Sequence, residues 1–418
     1  MKVFKFGGAS VKDTAGVKNV LKVLQKHNNP DKLIVISAMG KTTNALEVII
    51  QKYLAEQSPE AEIEHLRLFH VEIMNGLFEH KKAAVFEKIN KFFTILRNFL
   101  EHNKSKQYDF VYDQIIGFGE LISTTIVSEF LSRNGIRNTW IDVRDVIKTD
   151  STYRDAKVDW ETTQKKIIAE INPGTISITQ GFIGSDSNNF TTSLGREGSD
   201  YTAGIFAYCL NAESVTIWKD VPGVLNADPR EFKTTTLLQQ ISYEEAIELA
   251  FYGASVIHPK TLQPLQRKEI PLFVKSFFHP ENEGTKVCRG NGCAVIPQLP
   301  CFIVKKNQAL ISLSSRDFSF MVEENISEVF QLFHQYQMKV DLIQNSAISF
   351  SVCVDNKFNQ LEKLIQHLKA KFRVEYQTGV SLYTIRHFNE SAINSVEKGK
   401  KVLLKQLTHN TVQMVTAG

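Results

Sequence analysis

Cysteine is scarce in this chain of 418 residues, which contains only five. They are spread from Cys209 to Cys353, and this distribution provides no disulfide framework, so we expect a reducing, cytoplasmic location. Cys288 and Cys293 lie close together, but no second pair of ligands follows at the spacing of a zinc site. We therefore interpret both as linker thiols and expect no metal site in the protein.

Long apolar runs are also lacking. Met1-Lys2 leads directly into a short apolar segment that ends at Gly7, which is not the pattern of a secretory signal. Because no apolar run approaches the length that spans a bilayer, we expect no association with a membrane.

The chain has no strong excess of one charge. Its formal net charge is +4, and the basic residues are scattered. Two small clusters, Lys305-Lys306 and Lys398 with Lys400-Lys401, are typical of solvated faces rather than of a nucleic-acid footprint. We therefore expect no nucleic-acid partner.

What the chain does contain is a repeated order of strand, polar loop and helix. Residues 3–6, 33–37, 176–180 and 214–218 are apolar segments that end in loops rich in glycine or polar residues. Continuous apolar runs of this kind are typical of strands buried on both faces of a parallel sheet, so the order predicts an α/β domain. Ligands bind outside the carboxyl ends of such strands, and we expect these loops to share one crevice.

Residues 191–202, Thr-Thr-Ser-Leu-Gly-Arg-Glu-Gly-Ser-Asp-Tyr-Thr, form the loop richest in functional groups. Its glycines permit a sharp turn, and the apolar run that follows predicts a helix whose N-terminus attracts anions. Arg196 is suited to bind a carboxylate or phosphate bidentately. On these features alone, a plain turn with a surface ion pair explains the loop equally well.

Residues 58–103 are helical in pattern and carry His65, His70 and His80. No carboxylate or cysteine pattern accompanies these histidines, so we predict that they lie on helix surfaces rather than bind a ligand.

The composition changes after residue 284. Residues 285–300 are punctuated by glycine and proline, which predicts a linker between a first domain at 1–284 and a second region at 301–418. The second region has the β-α-β-β-α-β order of a ferredoxin-like unit, with strands at 309–313, 339–344, 348–354 and 374–378 and helices at 325–336 and 358–372. A second, abbreviated unit follows, with residues 381–387, a helix from 390 to about 407 and a single strand at 411–416.

Five motifs, in order over the first 280 residues, resemble those of the monofunctional aspartate kinases. They are KFGGAS (5–10), GEL (119–121), GREGSD (195–200), WKDVPGV (218–224) with DPR (228–230), and GASVIHP (253–259). The resemblance implies an amino-acid-kinase catalytic domain with a mainly parallel sheet between helices. It also implies tandem ferredoxin-like ACT domains after the linker.

The activity implied by this resemblance is phosphorylation of the side-chain carboxylate of L-aspartate by MgATP, giving 4-phospho-L-aspartate. This reaction is the first step toward lysine, threonine, methionine and diaminopimelate. The cofactors implied are ATP and Mg²⁺, with the metal carried by the nucleotide. Because two anions must meet, catalysis depends mainly on positioning and charge neutralisation.

The resemblance also assigns roles to residues at the aspartate side. Lys5 neutralises the phosphoryl group, and Asp200 holds Lys5 or organises magnesium, with a helix N-cap as its alternative role. Arg196 binds the α-carboxylate of aspartate and Glu120 its ammonium group. The two residues that add hydrogen bonds to the substrate are Thr43 and Ser199.

Further roles are implied for the nucleotide and for an effector. The implied nucleotide-binding residues are Lys5, Gly7, Gly8, Ser10, Lys219, Asp220, Leu225, Arg230 and Ser255. An amino-acid effector is implied at Asp341, Asn345 and Ser346, and its identity stays open. Pairing of ACT units edge to edge implies a homodimer.

Four positions depart from the usual pattern of the family. Ala9 replaces a hydroxyl residue, Glu197 a frequent glycine, Lys219 a common threonine, and Ser255 a lysine found in many members. Glu197 and Ser255 motivate one alternative, a catalytically silent amino-acid sensor. The other alternative is a different amino-acid kinase, against which the tandem ACT pattern and the motif at 218–224 argue.

Two further activities are excluded by pattern. No G-x-x-x-x-G-K-[ST] sequence occurs, which excludes a P-loop kinase. No G-x-G-x-x-G region follows residue 378, which argues against a fused homoserine dehydrogenase.

Overall fold

The computed structural model describes residues 1–27, 29–79, 84–254, 256–289, 294–317 and 319–417. It contains two compact units. The first consists of Met1–Val224, Leu237–Ile247 and Val256–Val295, and the second of Leu225–Thr236, Glu248–Ser255 and Ile296–Gly418.

An eight-stranded sheet lies at the centre of the first unit, in the order β3-β4-β2-β1-β7-β9-β10-β8. All neighbouring strands are parallel except β9 and β10, which are antiparallel. Two short strands, β5 and β6, form a separate antiparallel pair. The strands are β1 (Lys2–Phe6), β2 (Lys32–Ile36), β3 (Asn138–Ile141), β4 (Ile176–Gln180), β5 (Ile183–Ser185), β6 (Thr191–Ser193), β7 (Ser214–Lys219), β8 (Gln240–Ser242), β9 (Leu272–Ser276) and β10 (Thr285–Cys288).

The helices that alternate with these strands confirm the α/β class predicted from the sequence. They are α1 (Thr14–Lys26), α2 (Thr42–Leu54), α3 (Glu60–Leu77), α4 (Ala84–His102), α5 (Tyr108–Ile116), α6 (Phe118–Arg133), α7 (Val143–Val146), α8 (Trp160–Glu170), α9 (Gly198–Leu210), α10 (Tyr243–Tyr252) and α11 (Pro259–Arg267). A short 3₁₀ turn at Gly8–Val11 follows β1.

The alternation of side chains along the central strands decides which residues face which helices. Phe4 and Phe6 of β1, Ile34 and Ile36 of β2, and Trp218 of β7 belong to one apolar cluster with residues of α1 to α6. Because successive side chains of a strand point to opposite faces, the odd-numbered residues of β1 point the other way. On that face α9 contacts β1, β2 and β7.

One apolar stretch does reach bilayer length, contrary to the sequence prediction. Tyr108–Arg133 is a 26-residue stretch of α5 and α6 with a window of mean hydropathy 1.3. The protein interior buries 78% of that window, as is usual for the core helix of a folded domain. The prediction that no apolar run reaches this length was wrong, because a buried core helix can meet the same criteria of length and composition as a membrane helix.

The second unit contains a six-stranded antiparallel sheet in the order β12-β13-β11-β14-β16-β15. Its elements are β11 (Cys301–Ser314), α12 (Glu323–Gln335), β12 (Lys339–Asn345), β13 (Ser349–Asp355), α13 (Leu361–Lys371), β14 (Arg373–Arg386), α14 (Glu390–Glu397), β15 (Lys401–Leu407) and β16 (Thr411–Ala417). The long strands β11 and β14 pair along most of their length. Each long strand therefore contributes one half to each of two ferredoxin-like units.

The second ferredoxin-like unit is less abbreviated than the sequence indicated. The helix expected to run to about 407 ends at Glu397, and residues 401–407 form β15, which pairs with β16. Gly399 has a positive φ of 75°, a conformation that glycine adopts readily and that ends the helical path.

The predicted linker also differs from the structure at its beginning. Thr285–Cys288 is strand β10 of the large sheet, so the first unit extends past residue 284. The interpretation of Cys288 as a linker thiol was wrong, because this cysteine is disulfide-bonded. Cys293 lies outside the described residues.

Candidate functional site

A cavity of about 420 Å³ lies in the first unit, where the loops after β1 and β2 meet the start of α9. This is the edge at which parallel strands present their carboxyl ends, as the sequence predicted. The cavity is lined by Lys5, Gly8, Ser37, Ala38, Gly40, Thr43, Tyr112, Glu120, Arg154, Phe182, Gly195, Arg196, Glu197, Gly198, Ser199 and Asp200.

Lys5 and Asp200 form a buried ion pair at this cavity. Lys5 is an odd-numbered residue of β1, so its side chain points to the face of the sheet that contacts α9. Its Nζ lies 2.5 Å from Oδ1 of Asp200, and Nζ of Lys219 lies 3.5 Å from Oδ2. Two ammonium groups thus face one carboxylate, which leaves an excess of positive charge for an anion.

The charge state of Asp200 follows from these neighbours. Burial by itself raises the pKa of Asp200, but the charges of Lys5 and Lys219 outweigh it, and the pKa lies below the usual value. The position of Asp200 in the first turn of α9 adds the favourable end of the helix dipole. Asp200 is therefore a stable carboxylate.

Glu120, in the first turn of α6, is placed differently. Its Oε1 accepts a hydrogen bond from the Ala38 N–H at 3.3 Å, whereas its buried Oε2 has no hydrogen-bond partner among the described residues. Burial raises the pKa of Glu120 to about 8. A buried oxygen without a partner at a cavity wall fits a ligand that donates a hydrogen bond, such as an ammonium group.

Close backbone approaches give the cavity its shape. A Cβ atom at Gly8 would lie 2.7 Å from the carbonyl oxygen of Ala38, and one at Gly181 would lie 2.5 Å from Oγ of Ser199. Neither contact is possible for a side chain, so glycine is required at both positions.

The start of α9 has an unusual backbone. Gly195 has a φ of 77° and Glu197 a φ of 54°, both in the left-handed region, where glycine is favoured. Glu197 replaces the glycine that the family often has, and the structure shows that it keeps the left-handed conformation. The turn directs Arg196, Ser199 and Asp200 toward the cavity.

The structure brings together all the residues predicted for the aspartate side. The residues that line the cavity include Lys5, Thr43, Glu120, Arg196, Ser199 and Asp200. Sequence reasoning did not assign Tyr112, Arg154 or Phe182, which also line the cavity.

The predicted nucleotide-side residues are more dispersed. Gly8 lines the cavity, and a Cβ at Gly7 would contact Nζ of Lys5 at 3.4 Å. Lys219 also donates a hydrogen bond to the Val256 carbonyl at 2.5 Å. The hydroxyl of Ser10 donates to the Trp218 carbonyl at 3.4 Å, so it is engaged within the protein.

The remaining predicted nucleotide residues lie farther along the chain. Asp220 is exposed in the loop after β7. Leu225 and Arg230 belong to the second unit, where Arg230 pairs with Asp228 at 2.7 Å. Ser255 lies outside the described residues.

The prediction that His70 lies on a helix surface was wrong. His70 is fully buried, and burial lowers its pKa to about 4. Its Nδ1 lies 2.8 Å from the Leu66 carbonyl and its Nε2 lies 3.4 Å from Oγ1 of Thr42. His70 therefore supports the start of α2, next to Thr43. His65 is exposed as predicted, and His80 lies outside the described residues.

The three predicted effector residues lie in and just after β12 of the second unit. Asp341 forms ion pairs with Lys305 at 2.8 Å and Lys339 at 3.2 Å. Asn345 and Ser346 are exposed. Asp341 thus has cationic partners already, while the other two residues face solvent.

The sequence matches the model of the amino acid kinase family over residues 1–276. It is also 32% identical over 396 residues to the lysine-sensitive aspartokinase 3 of Escherichia coli, covering 92% of this chain and 86% of that protein. The chain belongs to the amino acid kinase family and is an aspartokinase.

Solved structures agree with this assignment of an aspartokinase. The chain is 28% identical to E. coli aspartokinase III in complex with lysine and aspartate (T-state), with a TM-score of 0.82 over 99% of this chain and 95% of that one. For the complex of the same E. coli enzyme with aspartate and ADP (R-state), the identity is 28% and the TM-score 0.79, over 100% and 96% of the two chains.

Proposed function

We propose that this aspartokinase transfers the γ-phosphoryl group of MgATP to the side-chain carboxylate of L-aspartate, giving 4-phospho-L-aspartate. The observation that carries the proposal is the charge arrangement of one cavity. Cationic Lys5 and Lys219 face Asp200, while Glu120 presents a buried oxygen that has no hydrogen-bond partner in the described part of the chain. The similar E. coli enzyme has been solved with aspartate and ADP bound, which supports the same pair of ligands here.

Aspartate is bound through its two charged backbone groups. Arg196 binds the α-carboxylate through its planar fork of N–H donors, and Glu120 accepts from the ammonium group. Thr43 and Ser199 add hydrogen bonds, which leaves the β-carboxylate free to attack the phosphoryl group.

Phosphoryl transfer requires that negative charge be neutralised between two anions. Lys5 provides this charge, and Asp200 fixes the position of its ammonium group. Gly8 lines the cavity, and its lack of a side chain lets a phosphate approach the backbone closely there. As an oxygen of the aspartate β-carboxylate bonds to the γ-phosphorus of ATP, the bond between that phosphorus and the oxygen bridging to the β-phosphate breaks, and ADP leaves.

We further propose that magnesium arrives with the nucleotide. No group of three His, Cys, Asp or Glu side chains that could hold a metal ion occurs within the described ranges. Asp200 faces two ammonium groups, so its carboxylate is engaged by the protein. The acidic ligands of magnesium are then mainly the phosphates themselves.

Regulation and assembly complete the proposal. We propose that the six-stranded sheet is a tandem ACT region, that it binds an amino-acid effector near Asn345 and Ser346, and that it pairs two chains in a homodimer. The lysine-bound structure of the E. coli enzyme supports lysine as the first effector to test. We also propose a soluble cytoplasmic enzyme, because five cysteines in 418 residues provide no disulfide framework, with Cys288 the one disulfide-bonded position among the described residues.

The activity is tested by a hydroxylamine trap, which converts an acyl phosphate into a coloured hydroxamate. We expect product with L-aspartate and MgATP, none without nucleotide, and none with L-asparagine, whose side chain lacks the acceptor carboxylate. Folded protein that forms no hydroxamate would contradict the kinase proposal and favour the silent sensor.

A further inference from the structure

Arg154 lines the same cavity as the predicted aspartate-binding residues, but none of the motifs contains it. It lies in the loop between α7 and α8 and has a φ of 69°, a left-handed conformation that is uncommon for an arginine. A non-glycine residue keeps such a conformation only where the surroundings impose it, and such residues cluster at functional sites.

The surroundings that impose this conformation centre on Asp113, a fully buried residue of α5. Its Oδ2 accepts from the backbone N–H of Arg154 at 3.0 Å and from that of Ser193 at 2.8 Å. Its Oδ1 accepts from the Ser193 hydroxyl at 2.6 Å. One carboxylate therefore fixes both the loop that carries Arg154 and the strand that leads to Arg196.

The Arg154 loop also contacts the turn at Gly195. A Cβ atom at Gly195 would lie 3.3 Å from the Arg154 carbonyl oxygen. The backbone of Arg154 thus packs against the residue that directly precedes Arg196, and both arginines line the cavity.

Two aromatic rings hold the Arg154 guanidinium. Its Cζ lies 4.7 Å from the ring centroid of Tyr112 and 5.2 Å from that of Tyr108. Stacking uses the faces of a guanidinium and leaves its edge N–H groups to bind an anion. Its ion-pair partner among the described residues is Asp109, which is 3.5 Å away and exposed, so the pairing is weak.

We propose that Arg154 is a second guanidinium for the α-carboxylate of the amino-acid substrate, acting beside Arg196 as a specificity-determining residue. This inference rests on the proposed function. Lys5 and Lys219 face Asp200 and serve the phosphoryl group. Arg154 instead lies beside Gly195 and Arg196, so we assign it to the binding of aspartate. The α-carboxylate of aspartate would then lie between the guanidinium groups of Arg154 and Arg196.

The test compares Arg154→Ala, Arg154→Lys and a matched control, Arg133→Ala. Arg133 is also a half-exposed arginine stacked on an aromatic ring, with its Cζ 5.2 Å from the Phe78 ring centroid, but it does not line the cavity. For Arg154→Ala we expect the KM for aspartate to rise about tenfold or more. The KM for ATP and kcat should stay within about twofold, as should every constant of the control. Arg154→Lys keeps the positive charge but loses the planar pair of N–H donors. Its KM for aspartate should therefore lie between those of the wild type and Arg154→Ala.

A change in the substrate then identifies the group that Arg154 contacts. L-Aspartic acid α-amide keeps the ammonium group and the β-carboxylate but lacks the α-carboxylate charge. We expect the loss in kcat/KM caused by Arg154→Ala to fall from about tenfold with aspartate to within about twofold with the amide. An equal loss with both substrates, or a loss in ATP binding, would overturn the inference.

Binding measured without turnover separates this inference from the proposed function. Calorimetric titration of L-aspartate into the wild type and into Arg154→Ala compares their affinities for aspartate, whether or not acyl phosphate forms. Equal affinities would overturn the role of Arg154, whereas absence of hydroxamate from the wild type would overturn the kinase proposal alone.

Discussion

Asp200 and Glu120 are alike in position but opposite in ionisation. Both lie in the first turn of a helix, both line the same cavity, and they are 0% and 3% exposed. The pKa of Asp200 lies below its usual value because two ammonium groups face it, whereas burial raises that of Glu120 to about 8. The contrast teaches that burial alone does not decide the charge of a site carboxylate, since the neighbouring charges do. Within the described part of the chain, Glu120 forms no direct ion pair, and the charge of Lys5 only partly offsets the effect of burial on its pKa.

The largest expected effect comes from removing the ammonium group of Lys5, which pairs with Asp200. We expect Lys5→Met to lower kcat by about 10³-fold, because a donor aimed at developing charge is lost and buried Asp200 loses its nearest partner. The hydroxamate assay measures the change. The control is Lys2→Met on the same strand. The Nζ atom of Lys2 lies 3.3 Å from Oε1 of Glu213 in an ion pair near the surface. A fall in kcat below about tenfold for Lys5→Met would contradict the assignment.

The next effect concerns the carboxylate end of the substrate. We expect Arg196→Ala to raise the KM for aspartate by roughly 10- to 100-fold, because a charged, bidentate contact is lost. The KM for ATP should change little. Equal losses for both ligands would show that Arg196 has been misassigned.

Glu120→Gln tests the other carboxylate of the comparison. Because the amide has no charge for the substrate ammonium group, we expect the KM for aspartate to rise by about tenfold or more with little change for ATP. The control is Glu129→Gln on the same helix, whose carboxylate pairs with Lys88 and Arg133 near the surface. A normal KM in Glu120→Gln would mean that the unpaired Oε2 does not bind substrate.

The raised pKa of Glu120 also predicts a pH dependence of stability. Between its ordinary value of 4.5 and about 8, the folded protein keeps a proton that the unfolded chain has released. The contribution of Glu120 to the free energy of unfolding is therefore largest at low pH and decreases as pH rises through this interval, by on the order of 5 kcal/mol.

Urea unfolding of wild type and Glu120→Gln from pH 5 to 9 checks this sign. We expect the variant to gain stability relative to the wild type as pH rises. A constant difference between the two proteins across this range would show that Glu120 ionises normally. Aspartate should reduce the wild-type slope, because its ammonium group stabilises the ionised form.

The smallest expected effect is at Glu197. Glycine would relieve the left-handed backbone but add conformational freedom to the unfolded chain, so Glu197→Gly should change the free energy of unfolding by less than about 1 kcal/mol. Asn211→Gly, with a φ of 47° at the other end of α9, is the matched control. Urea unfolding measures both. A tenfold rise in the KM for aspartate in Glu197→Gly alone would instead indicate a ligand contact.

The sequence predicted the core of the fold because its signals there are local. Residues 33–37 and 214–218 are continuous apolar runs, and such runs form buried parallel strands. Lys5, Glu120 and Asp200 lie within motifs, so resemblance located them. Arg154 and Tyr112 were missed because only tertiary packing on Asp113 brings the first to the cavity, and no pattern of neighbouring residues records that packing.

The errors in the second unit have the same origin. Residues 401–407, Lys-Val-Leu-Leu-Lys-Gln-Leu, suit a helix by local propensity. Pairing with β16 makes them a strand. In the first unit, His70 was placed on a surface because no ligand pattern accompanies it, and its burial depends on tertiary packing that local sequence does not record.

The long strands β11 and β14 have a consequence for cutting the chain. Residues 301–305 of β11 pair with 382–386 of β14, and residues 308–314 pair with 373–380. The border between the two ferredoxin-like units thus crosses the interior of both strands instead of following a loop. A truncation at residue 380 would leave the first half of β11 without its partner and expose an edge that invites aggregation. The two halves of this sheet are therefore expected to survive proteolysis, or to be lost, together.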